Sequence, residues 1–178
     1  MTASQDGRRR VVLALGSNLG DRLSHLQAGV DSLAAEPGIA VTAVSAVYET
    51  SPVGGPEQPD YLNAVMLADS ALPSRSILHL CLAAERARDR VRTVTWGPRT
   101  LDIDVIACGD ELSDDPELIL PHPRARQRAF VLAPWLDVDP DARLPGDGSV
   151  ARLLAEVGTA GTTRRADLRL SAGSQKIS

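Results

Sequence analysis

With 178 residues, 43% of them hydrophobic, the chain can bury one core and has no room for a second catalytic domain. A formal charge of −4 and a pI near 5.3 exclude the extended basic surface that nucleic acid or an anionic membrane demands. Cys81 and Cys108 lack metal-type spacing and are too few for a disulfide framework, which fits a reducing, cytoplasmic compartment.

Arg8-Arg9-Arg10 followed by Val11 to Leu15 imitates a signal peptide, but the apolar run stops at Gly16-Ser17-Asn18, too short for an h-region. No stretch approaches the roughly 18 apolar residues of a membrane span. Val11 to Leu15 instead reads as a buried strand, and Leu23, Leu26, Val30 and Leu33 follow at helical spacing. The turn between them lacks the Lys-Ser/Thr ending of a P-loop. It reads as a helix entry capped by Asp21 or Asn18, with phosphate binding as the alternative. Ile39 to Thr50 reads as a second strand, and the Pro- and Gly-dense loop Ser51 to Pro59 as a mobile lid. In the third strand, Tyr61 to Ala68, alternation puts Tyr61, Asn63, Val65 and Leu67 on one face.

Pro73-Ser74 opens a second helix whose buried stripe carries Ile77, Leu78, Cys81 and Leu82 and continues to Glu85. A carboxylate there is either a snorkelling end residue or a polar anchor for a ligand. Asp89 to Thr95 is an arginine-bearing loop. The run Trp96-Gly97-Pro98-Arg99-Thr100-Leu101-Asp102-Ile103-Asp104 follows, in which a strand would place Asp102 and Asp104 on one face, roughly 6 to 7 Å apart, with Leu101, Ile103 and Val105 on the other. A divalent cation relieves the repulsion of two such carboxylates, and Mg2+ suits them; a half-buried strand with an acidic solvent face is the alternative.

Residues 101 to 120 read as a β-hairpin with a turn at Gly109-Asp110-Glu111, and Pro121-His122-Pro123 as the entry to a helix carrying Arg124, Arg128, Phe130 and Val131. Asp137-Val138-Asp139-Pro140 reads as a turn. Ser149 caps a short helix through Val157, and the polar residues from 159 onward read as disordered. One compact domain over 10–158, with flexible tails at 1–9 and 159–178, follows. Helices alternating with strands and no regular βαβ run predict an α+β sandwich with a mainly antiparallel sheet, an added β-hairpin and a βαββαβ core. Of five aromatic residues, Tyr61 and Phe130 lie beside Asn63 and Arg128, and two rings with an amide could hold a flat heteroaromatic ligand.

Five ordered segments carry a resemblance. They are Leu13 to Asn18, Tyr48 to Gly54, Gln58 to Asn63, Trp96 to Asp104, and Leu120 to Arg124 with Arg128-Ala129-Phe130. Together they resemble the 6-hydroxymethyl-7,8-dihydropterin pyrophosphokinase family of folate biosynthesis. The resemblance implies a ferredoxin-like fold and transfer of pyrophosphate from ATP to the pterin hydroxymethyl group, with AMP leaving. It implies two Mg2+ ions at Asp102 and Asp104 and the small-molecule substrates ATP and 6-hydroxymethyl-7,8-dihydropterin; a monomer is expected, with no nucleic-acid or membrane partner. By position it assigns Tyr61 and Phe130 to pterin stacking, and Asn63 with the backbone near Thr50 and Val53 to the pterin edge. Glu85, Arg90, Arg92, Trp96, Arg99, His122 and Arg128 match ATP-contacting positions. Arg90 and Arg99 match the grip on the migrating group, since guanidinium forks suit phosphate oxygens. The chain departs from the family at Asp89 and Thr95 and in a shorter arginine loop. A non-catalytic sensor on the same fold would not need the intact Asp102/Asp104 pair with Arg90 and Arg99. An RNA-binding plait would need exposed sheet aromatics and a basic face, which the sequence lacks.

Overall fold

Val11, Leu13 and Leu15 bury on one face of the first strand, β1 (Arg9–Ser17), and Val12 on the other, so this strand needs cover on both sides. The computed structural model describes residues 6–52, 57–88 and 100–173. After β1 come α1 (Arg22–Ala34), β2 (Ala40–Val44), β3 (Tyr48–Thr50), β4 (Tyr61–Ser70), α2 (Ser74–Arg88) and β5 (Asp102–Cys108). The ribbon strands β6 (Ser113–Asp115) and β7 (Leu118–Leu120) follow, then α3 (Ala129–Val138), β8 (Arg143–Leu144), β9 (Gly148–Ser149), α4 (Val150–Val157) and β10 (Thr162–Arg164).

The main sheet runs β10-β3-β4-β1-β5, with β2 also on β4, and each of these pairings is antiparallel. Its longest ladder, β1 with β4, extends from Arg9↔Ser70 to Ser17↔Leu62. On one face Leu13, Leu15, Met66 and Ile103 pack against Leu26, Val30 and Leu33 of α1 and Ile77 and Cys81 of α2. On the other, Val12, Val65, Leu67 and Ile106 pack against Val131, Leu132 and Trp135 of α3 and Val150 and Leu153 of α4. The sheet is therefore the middle of three layers, and the α+β architecture with its mainly antiparallel sheet stands. Asp21 caps α1 by accepting from the Ser24 backbone at 3.1 Å, and Ser149 caps α4, as their positions predict.

Five expectations need correction. The single strand expected over 39–50 is two, because Ser45 Oγ accepts from the Val65 backbone at 2.8 Å and donates to the Ala46 carbonyl, turning the chain between β2 and β3. The hairpin expected over 101–120 is confined to β6 and β7, since β5 spends its ladder on β1 and meets the following segment through the bond from His122 N to Ile106 O. The helix expected from Pro123 starts late: a 3-10 turn occupies Ala125–Gln127, Arg128 is extended at φ −110°, and α3 begins at Ala129. The turn expected at Asp137 is the end of α3, whose carbonyl of Trp135 accepts from Asp139 N. Within the segment from 159 onward that was expected as a flexible tail, Thr162–Arg164 forms β10 on the edge of β3.

Candidate active site

Three strands and a helix start converge at one end of the sheet. Leu101, just before β5, and Ile103 and Val105 on it are buried in the α1/α2 layer, so Asp102 and Asp104 face the α3/α4 layer and stay half-buried. On β4, Tyr61 and Asn63 continue the face that Val65 and Leu67 bury against α3. The late start of α3 leaves Arg128 just outside the helix and Phe130 in its first turn. These residues line a cavity of about 500 Å3 together with Thr50 from the end of β3.

Gly16 explains how the pterin-edge candidates come together. It lies opposite Asn63 in the β1/β4 ladder, and a Cβ on it would stand 3.1 Å from Asn63 Oδ1 and 3.4 Å from a Tyr61 ring carbon. Glycine in a strand interior marks such a close approach. Asn63 is 6% exposed, and its Nδ2 donates to Thr50 Oγ1 at 2.7 Å, which sets the amide's orientation.

Around Asp104 the charges are graded. Arg128 Nη1 stands 3.6 Å and His122 Nε2 4.0 Å from Asp104 Oδ2, and the Arg128 guanidinium lies 5.4 Å from the Phe130 ring centroid. Burial, with help from Arg128 and Arg124, pushes the His122 imidazole down to about 4. His122 is thus neutral at pH 7, and its Nδ1 accepts from Arg124 N at 3.2 Å, leaving the ring proton on Nε2 towards Asp104. Arg128 is a permanent cation beside this carboxylate.

The donor set fits Mg2+. Among the described residues no group of three or more His, Cys, Asp or Glu side chains is arranged to hold a metal by itself. Two hard oxygen ligands from one strand leave coordination positions for phosphate oxygens and water, the usual division of labour for a nucleotide-borne Mg2+.

The structure thus brings Thr50, Tyr61, Asn63, Asp102, Asp104, Arg128 and Phe130 to one cavity, with His122 at its margin. Glu85 is 4% exposed on α2, behind β5, and accepts from the Ile103 backbone at 2.8 Å. It thereby anchors the strand that carries both aspartates. Val53, Arg90, Arg92, Trp96 and Arg99, and with them the centres of both expected loops, lie outside the described residues. The sequence reading did not assign Gly16, Arg124, Gln127 or the segment from Val157 to Thr162 to the site, yet all reach the cavity. The glycine opposite Asn63 was a usable signal once the ladder register was known; the C-terminal segment had none beyond its two glycines.

The family described as 7,8-dihydro-6-hydroxymethylpterin-pyrophosphokinase (HPPK) matches residues 12–140. The 2-amino-4-hydroxy-6-hydroxymethyldihydropteridine pyrophosphokinase of Methylorubrum extorquens is 43% identical over 155 residues, covering 87% of this chain and 98% of its own. The protein of the same description from Mycobacterium tuberculosis H37Rv is 47% identical over 161 residues, covering 83% of this chain and 84% of its own. Among solved structures, Plasmodium falciparum HPPK-DHPS with pterin and p-hydroxybenzoate superposes with a TM-score of 0.67 at 12% identity. That match covers 92% of this chain but only 46% of the Plasmodium chain, and at such identity it speaks for the fold alone.

Proposed function

This chain belongs to the 7,8-dihydro-6-hydroxymethylpterin-pyrophosphokinase family and is a pyrophosphokinase of folate biosynthesis; from that premise we propose how its cavity divides between two substrates. The pterin lies between Tyr61 and Phe130, its edge read by Asn63 and by the backbone near Thr50 and Val53. ATP lies towards β5, with its phosphates at Asp102, Asp104 and Arg128 and with Arg90, Arg92, Trp96, Arg99 and His122 around it. The observation that carries this reading is that one cavity is lined by two carboxylates together with two aromatic rings and an oriented amide.

In the reaction the pterin hydroxymethyl oxygen forms a bond to the β-phosphorus of ATP and gives up its proton to water, while the bond from that phosphorus to the α,β-bridging oxygen breaks and AMP leaves with the electron pair. Such a transfer asks the protein for positioning and charge compensation rather than for a nucleophile. Mg2+ brought with ATP, two ions in the reading we favour, would be held by Asp102 and Asp104 and would neutralise the crowded phosphate oxygens. Arg128 screens Asp104 from the nucleotide's negative charge, Arg90 and Arg99 grip the pyrophosphoryl group, and Glu85 supports β5 from behind. Loops 51–60 and 89–96 exclude the water that would otherwise compete as acceptor.

We further read the chain order β1, α1, β2/β3, β4, α2, β5, with β3-β4-β1-β5 in space, as the ferredoxin-like βαββαβ arrangement. The pyrophosphokinase domain then spans 10–158, with the following residues packed on it. A cytoplasmic location fits the two free, buried thiols, and we propose a monomer. No helix among the described residues is long and apolar enough to cross a membrane.

AMP release from ATP, measured with and without the pterin alcohol, tests the reading. Release should require the pterin and stop in excess chelator. Asp102→Asn and Asp104→Asn should each lower kcat on the order of a hundredfold or more, the scale seen when a group stabilising transition-state charge is removed. Turnover that persists in chelator would remove the metal role, and pterin-independent release would remove the acceptor.

A further inference from the structure

From Gly158 to Ser171 the chain beyond α4 stays on the molecule. Gly158 and Gly161, at φ 77° and 75°, turn it back, and β10 pairs with β3 so that Thr162 lies opposite Thr50. Arg165 N then donates to the Val47 carbonyl at 2.8 Å. The Arg165 guanidinium reaches Glu49 Oε1 at 3.2 Å, while Arg22 of α1 holds Glu49 Oε2 at 2.7 Å and the Asp60 carbonyl at 3.0 Å. Leu168 and Leu170 pack on the α1/α2 core. Beyond them Gln27 of α1 makes a reciprocal pair with the Ser171 backbone, accepting from its N at 2.9 Å and donating to its carbonyl at 3.0 Å. Residues 158–171 are therefore a strap that crosses the sheet edge from the α4 side to α1.

The inner side of this strap reaches the cavity. Gly158, Ala160 and Thr162 line it along with Tyr61, Asn63 and Phe130. Thr50, whose hydroxyl orients Asn63, is the strand partner of Thr162, and the Gly161 carbonyl accepts from Ser51 N at 3.4 Å where the first loop begins. On its outer side the strap is fastened by part-exposed polar contacts and two partly buried leucines, the kind of attachment that opens locally before the core does.

We propose that the strap is the outer wall of the pterin half of the cavity, held in place by the positioning residues Arg165 and Gln27, so that strap docking and pterin binding are coupled. The inference rests on the assignment of that half to the pterin. If the pterin is bound by the docked form, it must in turn favour docking by the same factor.

The test uses the full chain and its Arg165→Ala, Gln27→Ala and Arg165→Lys variants. Two readouts are needed: KM for each substrate with kcat, and the rate of trypsin cleavage after Arg164 and Arg169 with and without the pterin, located by mass spectrometry. In the unaltered chain the pterin should slow cleavage at these sites. Arg165→Ala and Gln27→Ala should raise the pterin KM roughly fivefold or more, the lower end of measured couplings between sites, with ATP KM and kcat unchanged. Arg165→Lys should recover part of the loss. Equal losses for both substrates, or cleavage indifferent to the pterin, would overturn the coupling. A chain that binds pterin and releases AMP normally, with variants that bind pterin as well as it does, would overturn the strap inference alone. An unaltered chain that binds no pterin would overturn the pocket assignment and the strap together.

Discussion

Thr50 and Asn63 form the most constrained polar pair of the site. Both are at most 6% exposed, so the amide hydrogen given to the Thr50 hydroxyl has no cheap replacement. Thr50→Val keeps the shape and removes the acceptor. We expect it to cost about 1–3 kcal/mol in pterin binding, roughly five- to 150-fold in KM, while ATP KM stays put; substrate-varied kinetics check this. Phe130→Ala should likewise weaken the pterin more than ATP, by about 0.5–1.5 kcal/mol beyond the lost contact area, as calorimetry with each ligand would record. Equal losses would make Phe130 a support for Arg128, whose guanidinium lies 5.4 Å from the ring centroid. Residue types were legible here from the sequence. Asn63 beside Tyr61, and Phe130 after Arg128, suggest a flat ligand, but the hydroxyl that aims the amide comes from a different strand and only the β3/β4 register Thr50↔Tyr61 brings it near.

At the scale of elements, β5 is the one whose placement matters most, and it is held from behind. Glu85 accepts from Ile103 N, the residue between the two aspartates. Glu85→Ala would leave that buried N–H without this acceptor, at a cost of about 1–3 kcal/mol, and would let the carboxylates drift. A lowered thermal midpoint together with a lowered kcat is expected, and Glu85→Gln, which keeps an acceptor, should recover much of both. Loss of midpoint alone would confine Glu85 to stability. The alternation of Leu101, Ile103 and Val105 with Asp102 and Asp104 made the two faces of β5 readable, because strand periodicity is local. Glu85 was conspicuous on an apolar helix face, but its partner was not predictable, since a backbone donor eighteen positions away is chosen by how α2 lies on the sheet. The late start of α3 escaped for a similar reason: nothing in Arg124 to Arg128 forbids a helix, and the extended Arg128 is set by its tertiary surroundings.

Across the whole molecule the two sides of the cavity are tied together by Tyr48 of β3, whose hydroxyl donates to Asp137 of α3 at 2.8 Å. Burial first, and the Asp137 carboxylate second, push the Tyr48 phenol up to about 12. A raised acid favours its protonated form in the folded state, so this contribution to stability is complete below the ordinary value of 10 and is lost as pH rises from there through 12. Denaturant unfolding should therefore show the unaltered chain losing its advantage over Tyr48→Phe between pH 9 and pH 12. A constant difference would mean that the phenol does not titrate with unfolding. The sequence by itself determined the class of this protein: alternating strands and helices with a mainly antiparallel sheet, an Asp-x-Asp strand end, and the ordered motifs of a pterin pyrophosphokinase. These features rest on local periodicity and fixed spacing, which survive without knowledge of the fold. Only the tertiary structure decided what closes the cavity, from Gly16 beneath Asn63 to the strap that runs along β3 and ends on Gln27. A polar, glycine-punctuated segment has no hydrophobic pattern to announce it, and it is ordered by an unpaired strand edge and an α1 surface that exist only once the rest of the chain has folded.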